Sequence, residues 1–249
     1  MRMKSRKDPQ NKSETFWEHL EILRWKLLTV IGITALAALG AFLFGDVLVD
    51  MLLEIPRELG IDLIYIKPQE KFLAYVRAAV YMSMIVGIPV LIIELISFVL
   101  PALTPKEMRT VIPAATVVVL LYLIGMLYSY FFLLPYALGF FFDFGTGQVR
   151  AAWSIGAYIQ LVGSITMVSG LIFLLPVILW AAVRTGLVEV AQLAAGRKYV
   201  ILGLFIAAAL FTPPDPFTQI VVASILYGLY ELTLLLVRVS EYIKRGRDE

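Results

Sequence analysis

The chain has 249 residues, 60% of them hydrophobic and only 16% charged, whereas a soluble domain carries about 25% charged side chains. Its formal charge of +2, from 21 Lys and Arg against 19 Asp and Glu, is too small to imply a nucleic-acid partner. With no cysteine, disulfides, thiolate nucleophiles and Cys-ligated metals are excluded.

Residues 1–26 hold seven basic side chains and no short apolar stretch with a small-residue cleavage site. They are predicted to be a cytoplasmic N-terminal segment and not a cleaved signal peptide. Four apolar blocks follow at 27–44, 78–100, 111–134 and 158–182, each 18 to 25 residues long, with Glu94 their one charge. Each is long enough to cross a hydrocarbon core of ~30 Å at ~1.5 Å per residue. The intervening outer loops 45–77 and 135–157 contain Tyr65, Trp153 and several apolar residues, which predicts short interfacial helices or caps. Two further apolar segments, 200–211 and 217–237, flank Thr212-Pro213-Pro214-Asp215-Pro216. Three prolines there cannot continue a helix, so a tight helical hairpin is expected. Residues 238–249 form a polar tail.

The expected fold class is therefore an all-α integral membrane protein with six transmembrane helices in one domain, 27–237. Six spans put both termini on one side. That side carries sixteen Lys and Arg against four on the other, with Arg77 at a boundary, so the positive-inside rule predicts both termini in the cytoplasm. No internal repeat relates the two halves.

The single histidine, His19, has no second His nearby, so a metal site is not expected. No strained Gly-flanked serine lies near it, and no phosphate loop or dinucleotide fingerprint occurs, which leaves an enzyme without support. Polar residues inside apolar spans are more informative, because a mid-bilayer charge costs ~2.5–3.5 kcal/mol and persists for function or pairing. Glu94 and Glu231 qualify. Glu94 is either a protonated acid hydrogen-bonded to a neighbouring helix or a functional group, and Glu231 is expected to pair with Arg238 or Arg184. Arg77 is expected to snorkel outward. Glu14, Glu18 and Glu21 recur at spacings of four and three, on one helical face ahead of the first span. With Glu107 in the inner loop 101–110, they are either a docking site for a cationic partner or a solvated face with Arg24 and Lys106 as local partners.

The stretch His19-Leu20-Glu21-Ile22-Leu23-Arg24-Trp25-Lys26-Leu27-Leu28 resembles the signature ahead of the first span in TatC, the polytopic subunit of the twin-arginine protein translocase. In the same order follow Pro68-Gln69-Glu70-Lys71-Phe72, Pro89-Val90, Glu94, Phe98, Pro101-Ala102-Leu103 and Glu107. Tyr130 to Pro135, Phe173 with Pro176-Val177, Arg197-Lys198-Tyr199, Thr212-Pro213-Pro214-Asp215, Gln219 and Tyr230-Glu231 complete the series. The resemblance covers roughly residues 13–240.

That resemblance implies a curved, glove-like wall of six helices in the inner membrane. It implies a receptor for signal peptides with two consecutive arginines, which assembles single-span TatA-type or TatB-type subunits and moves folded proteins with the proton-motive force. It needs no cofactor, and self-association is a further expectation. Carried over by position, Glu107, Glu21, Glu18, His19, Leu20 and Arg24 are the expected signal-peptide-binding residues. Glu94, Thr212, Gln219 and Glu231 are the intramembrane or partner-docking polar groups, while Pro68, Phe98, Pro101, Pro176, Pro213, Pro214 and Asp215 are structural.

Three positions depart from the family pattern. Ile22 stands where a Glu before the Leu-Arg pair is common. Glu21 is one residue earlier, about 100° around a helix, so it replaces that carboxylate only if the segment is rotated or irregular. Leu174 replaces a buried Glu or Gln, and Ile225 a proline, which predicts a straighter last helix. The competing readings are a proton- or ion-coupled transporter of small solutes using Glu94 and Glu231, and a paralogue that kept the scaffold and lost the receptor role.

Overall fold

A computed structural model describes residues 10–99, 105–143, 153–184, 186–211 and 216–248. Helix α1 (Gln10–Leu43) leads into two short helices, α2 (Gly45–Leu52) and α3 (Glu54–Glu58), and strand β1 (Leu63–Ile64). Next come α4 (Glu70–Val99), α5 (Pro105–Tyr128) and α6 (Leu134–Asp143), then strand β2 (Trp153–Ser154) and α7 (Ile155–Ile172). The chain continues through α8 (Leu175–Arg184), α9 (Val190–Ala195), α10 (Arg197–Phe211) and α11 (Pro216–Asp248). Among the described residues four stretches are long and apolar enough to cross a membrane: Trp17–Leu43, Glu70–Phe98, Val111–Phe142 and Ile155–Val183. A shorter apolar stretch, Gln219–Leu235, lies in α11.

Helix α1 crosses the expected boundary at residue 26 without interruption, because nothing between Gln10 and Leu43 breaks a helix. It lies antiparallel on α4. The less exposed residues Leu23, Lys26, Val30, Thr34, Ala37 and Ala41 recur at three and four, so one stripe faces the neighbour. Close approach is possible at Gly87 because it has no side chain, and a Cβ there would lie 2.5 Å from Thr34 Oγ1. Helix α4 in turn packs on α5 and α7, and Tyr122 of α5 donates to the Met84 carbonyl at 3.3 Å.

Pro89 and Pro113 lie inside α4 and α5, and two further prolines coincide with irregular turns. Pro135 lacks the amide donor and its ring clashes with the carbonyl four residues back. A wider π-helical turn, Ser129–Leu133, sits directly before it and absorbs the misfit. Pro176 follows the break between α7 and α8, in the first turn of α8, where its missing donor is unneeded. Helix α11, with Ile225 and no internal proline, is continuous through Asp248.

Residues 45–64 fold into a cap over one end of the bundle. Leu48 and Val49 of α2 are buried against Ala74, Ala78, Leu134, Leu138, Tyr158, Ile159 and Val162. At the C-terminal end of α2, cap backbone N–H groups donate to the Val49 and Met51 carbonyls, and tyrosine hydroxyls add to them. Tyr130 donates to the Met51 carbonyl at 3.1 Å, and Tyr158 donates to that of Leu52. Strands β1 and β2 pair in parallel, Leu63 with Trp153 and Ile64 with Ser154. Beside them Glu70, the first residue of α4, reaches back to accept from the backbone N–H groups of Ile66 (2.8 Å) and Lys67 (3.3 Å). Its other oxygen accepts from Gly156 N–H at 3.1 Å and from the Ser154 hydroxyl. One carboxylate thus satisfies a turn and the N-terminus of α7, where the helix dipole also favours it. The exposed Pro68 occupies that turn.

A Cβ on Gly156 would lie 2.8 Å from Glu70 Oε1. Gly156→Ala therefore displaces the carboxylate, which lowers the thermal midpoint in detergent and speeds hydrogen exchange at the Ile66 and Lys67 amides. Unchanged exchange at both amides would contradict this role for Glu70.

Candidate functional site

The N-terminal turns of α1, the C-terminal end of α4 and the first turn of α5 share one end of the bundle. His19 packs on Phe98, ring centroids 5.1 Å apart at 51°. Glu18, Leu20, Glu21 and Arg24 are exposed around it. Glu107 falls in the first turn of α5, with its side chain outside the described residues, and Pro101 lies outside them altogether. Because α1 is regular here, helix geometry fixes where its carboxylates lie relative to Ile22. At ~100° per residue, Glu18 sits roughly 40° from Ile22, one turn earlier. Glu21 points roughly 180° away from the stripe that faces α4.

One turn and more into the bundle, Lys26 of α1 meets Glu94 of α4. Lys26 Nζ donates to Glu94 Oε2 at 2.9 Å and also to Ser97 Oγ. The Ser97 hydroxyl lies 2.9 Å from the Glu94 carbonyl and 3.1 Å from Oε2, so it can donate to either. Both charged side chains are about three-quarters covered, with 23% and 26% of their surface exposed. Glu94 is thus one half of an interhelical ion pair, not a neutral acid. Its partner escaped sequence reasoning because Lys26 ends a basic run and counts with the surface charges. A lysine two residues into an otherwise apolar helix face is the signal that points to it.

A second ion pair lies where α10 begins and α11 passes. Arg197 clasps Glu231 in a two-point contact, Nε to Oε1 at 2.7 Å and Nη2 to Oε2 at 3.0 Å. Tyr227 donates to Oε1 at 2.9 Å, and Tyr230 donates to the Leu193 carbonyl at 2.5 Å. The hydrogen bonds and charge of Glu231 raise the Arg197 guanidinium further above its ordinary range. The expectation that Glu231 pairs with Arg238 or Arg184 is thereby corrected. Arg197 sits opposite Glu231 across the α10–α11 contact, whereas Arg238 is seven residues further along the same helix. Between the same helices Gln219 Nε2 donates to the Phe205 carbonyl at 3.1 Å. Thr212, Pro213, Pro214 and Asp215 lie outside the described residues. Leu174 falls at the break between α7 and α8.

Toward the cap, α4, α5 and α7 enclose an apolar cavity of about 420 Å³ roofed by α2. Met51, Met82, Met126 and Met167 line it, soft side chains that fit varied apolar shapes. Thr166 is also on its wall, its buried hydroxyl without a partner. Sequence reasoning missed this cavity, since four methionines on four elements carry no local pattern. Among the described residues no cluster of His, Asp and Glu is suited to a metal.

A family model described as Sec-independent protein translocase protein (TatC) matches residues 18–224. The chain is 36% identical over 224 residues to the chloroplastic Sec-independent protein translocase protein TATC of Arabidopsis thaliana. That match covers 89% of this chain and 66% of the plant protein, so the chain spans just under two thirds of its length. It is 33% identical over 243 residues to the Sec-independent protein translocase protein TatC of Desulforapulum autotrophicum, covering 96% and 90% of the two chains. A crystal structure of the twin arginine translocase receptor TatC superposes with a TM-score of 0.79 at 30% identity, covering 90% of this chain and 99% of that one.

The Arg197–Glu231 contact can be tested without any partner. Glu231→Gln lowers the thermal midpoint in detergent, and Arg197→Lys gives an intermediate value because an ammonium keeps the charge but loses the fork. Midpoints equal to wild type in both would show that the pair does not tie α10 to α11.

Proposed function

Because this chain belongs to the TatC family of Sec-independent protein translocase proteins, we propose that it binds twin-arginine signal peptides at the α1–α4–α5 end. There it nucleates the complex that exports folded proteins with the proton-motive force. One observation carries this reading: the His19–Phe98 contact holds the carboxylate-bearing turns of α1 at the end of α4, from which the chain runs on to the Glu107 turn of α5. Glu107 and Glu18 are the two carboxylates proposed for the arginine pair, since charge-assisted forks are strong where water is partly excluded. Glu21, on the opposite side of α1, is the weaker choice. Leu20 and Arg24 border the site.

From Phe98 to Ile85 at the cavity is about 20 Å along α4. A helical apolar segment of a signal peptide covers that distance, and the methionine-lined cavity has the matching chemistry. The same reading takes α10 and α11 as the fifth and sixth spans, with residues 1–26 and 238–249 in the cytoplasm and 27–237 in the inner membrane. The excess of Lys and Arg on that side supports it. Thr212 and Gln219 are the proposed contacts for single-span TatA-type or TatB-type subunits. A small-solute transporter would need Glu94 and Glu231 as free titrating groups, and each is engaged by a cation.

Binding of a synthetic twin-arginine signal peptide to the purified protein, against the same peptide with both arginines changed to lysine, tests the reading. Lysine keeps the charge and loses the bidentate geometry. Glu107→Gln is expected to weaken the arginine peptide about tenfold to a hundredfold, Glu18→Gln to weaken it less, and Glu21→Gln to leave it near wild type. Equal, weak, salt-sensitive binding of both peptides would refute the receptor role.

A further inference from the structure

We infer that the Lys26–Glu94–Ser97 cluster is a positioning device: it fixes the height of α1 along α4 and so holds the Glu18–His19 turn at the height where the arginine pair docks. The inference rests on the receptor reading above. Three observations carry it. First, α1 packs on α4 and on little else, so its position depends on that one contact line. Second, the contacts along that line are a ladder of antiparallel pairs, His19 with Phe98, Lys26 with Glu94 and Ser97, Thr34 with Gly87, and Phe42 with Phe72. The two aromatic contacts are broad and tolerate sliding, and the Thr34–Gly87 notch sets how closely the helices approach. Among these described contacts the Lys26 rung alone joins opposite charges through directed hydrogen bonds. Third, apolar helix faces in hydrocarbon gain little by choosing one register over another, so a hydrogen-bonded charge pair decides between them.

A shift of α1 by one turn would move the Glu18 turn by about 5.4 Å. That is more than a bidentate contact tolerates, so peptide affinity depends on the pair although neither residue touches the peptide. Lys26 and Glu94 are therefore positioning residues. Removing one partner leaves the other charge uncompensated at bilayer depth, which favours displacement of α1 over a silent loss.

The chain has no cysteine, so spin labels can be placed on cysteines introduced at the exposed positions Leu28 of α1 and Ile112 of α5. The distance between them is measured in full-length protein in nanodiscs, alongside affinity for the twin-arginine and twin-lysine peptides. Wild type is expected to give one narrow distance distribution. Glu94→Gln and Lys26→Gln should each shift or broaden it and weaken the arginine peptide roughly tenfold. Lys26→Arg should retain both properties, and the exchanged pair Lys26→Glu with Glu94→Lys should restore both toward wild type. A distance unchanged by the single substitutions, or not restored by the exchange, overturns the inference whatever the peptides do. Distances that follow the pair while the wild-type chain fails to prefer arginine overturn the receptor reading and the recognition role together. Distances that follow the pair with affinity unmoved overturn the recognition role alone.

Discussion

Hydrocarbon gives apolar helices almost no reason to prefer one neighbour or one register, because lipid tails are as apolar as the helix faces they compete with. The arrangement of this chain therefore rests on close packing at small residues and on a handful of polar contacts within the bundle and at its ends. Each of those contacts ties together elements far apart in sequence. Lys26 and Glu94 join α1 to α4, Glu70 joins the turn before α4 to the start of α7, and Arg197 and Glu231 join α10 to α11. Tyr130 and Tyr158 join the bundle to the cap through the carbonyl end of α2. Were these groups replaced by apolar ones, the helices would still form, but little would specify how they sit together.

The same contacts divide the molecule by role. The cap end is well covered: α2, α6 and α7 share a core with the α4 side chains, and Glu70 accepts four donors. The opposite end presents exposed carboxylates on α1 and an aromatic contact at the end of α4. That contrast suits the proposal that the cap end holds the bundle in shape while the other end meets a charged partner.

Much of the fold is legible in the sequence because long apolar blocks have one stable form in lipid. The four long blocks fall on helices that fit a membrane span, and the loop expected at 45–77 holds the short helices α2 and α3, whereas α6 carries the third stretch on into the loop expected at 135–157. The site was legible only in part. Glu94 announced itself as a charge in an apolar run, but its partner lies 68 residues away, and Lys26 looked like one more base in a basic segment. Glu231 lies near the end of its apolar segment, which points to the arginines beyond span ends, Arg238 and Arg184, whereas its partner is Arg197 at the start of α10. At Ile22, the displaced carboxylate raised the question of an irregular helix. The helix is regular there, which is why Glu18 is proposed ahead of Glu21. The cavity was invisible beforehand, since it forms only where α2, α4, α5 and α7 converge.

The central claim is that peptide recognition occurs where α1, α4 and α5 end together. The most direct test is photo-crosslinking of a twin-arginine peptide carrying a reactive group beside its arginines, with adducts on the full-length protein located by mass spectrometry. The account predicts adducts in the first turns of α1 and in the first turn of α5, displaced by unlabelled arginine peptide and not by its lysine counterpart. Adducts concentrated around Arg197 and Glu231, or spread over the surface without regard to arginine, would contradict it.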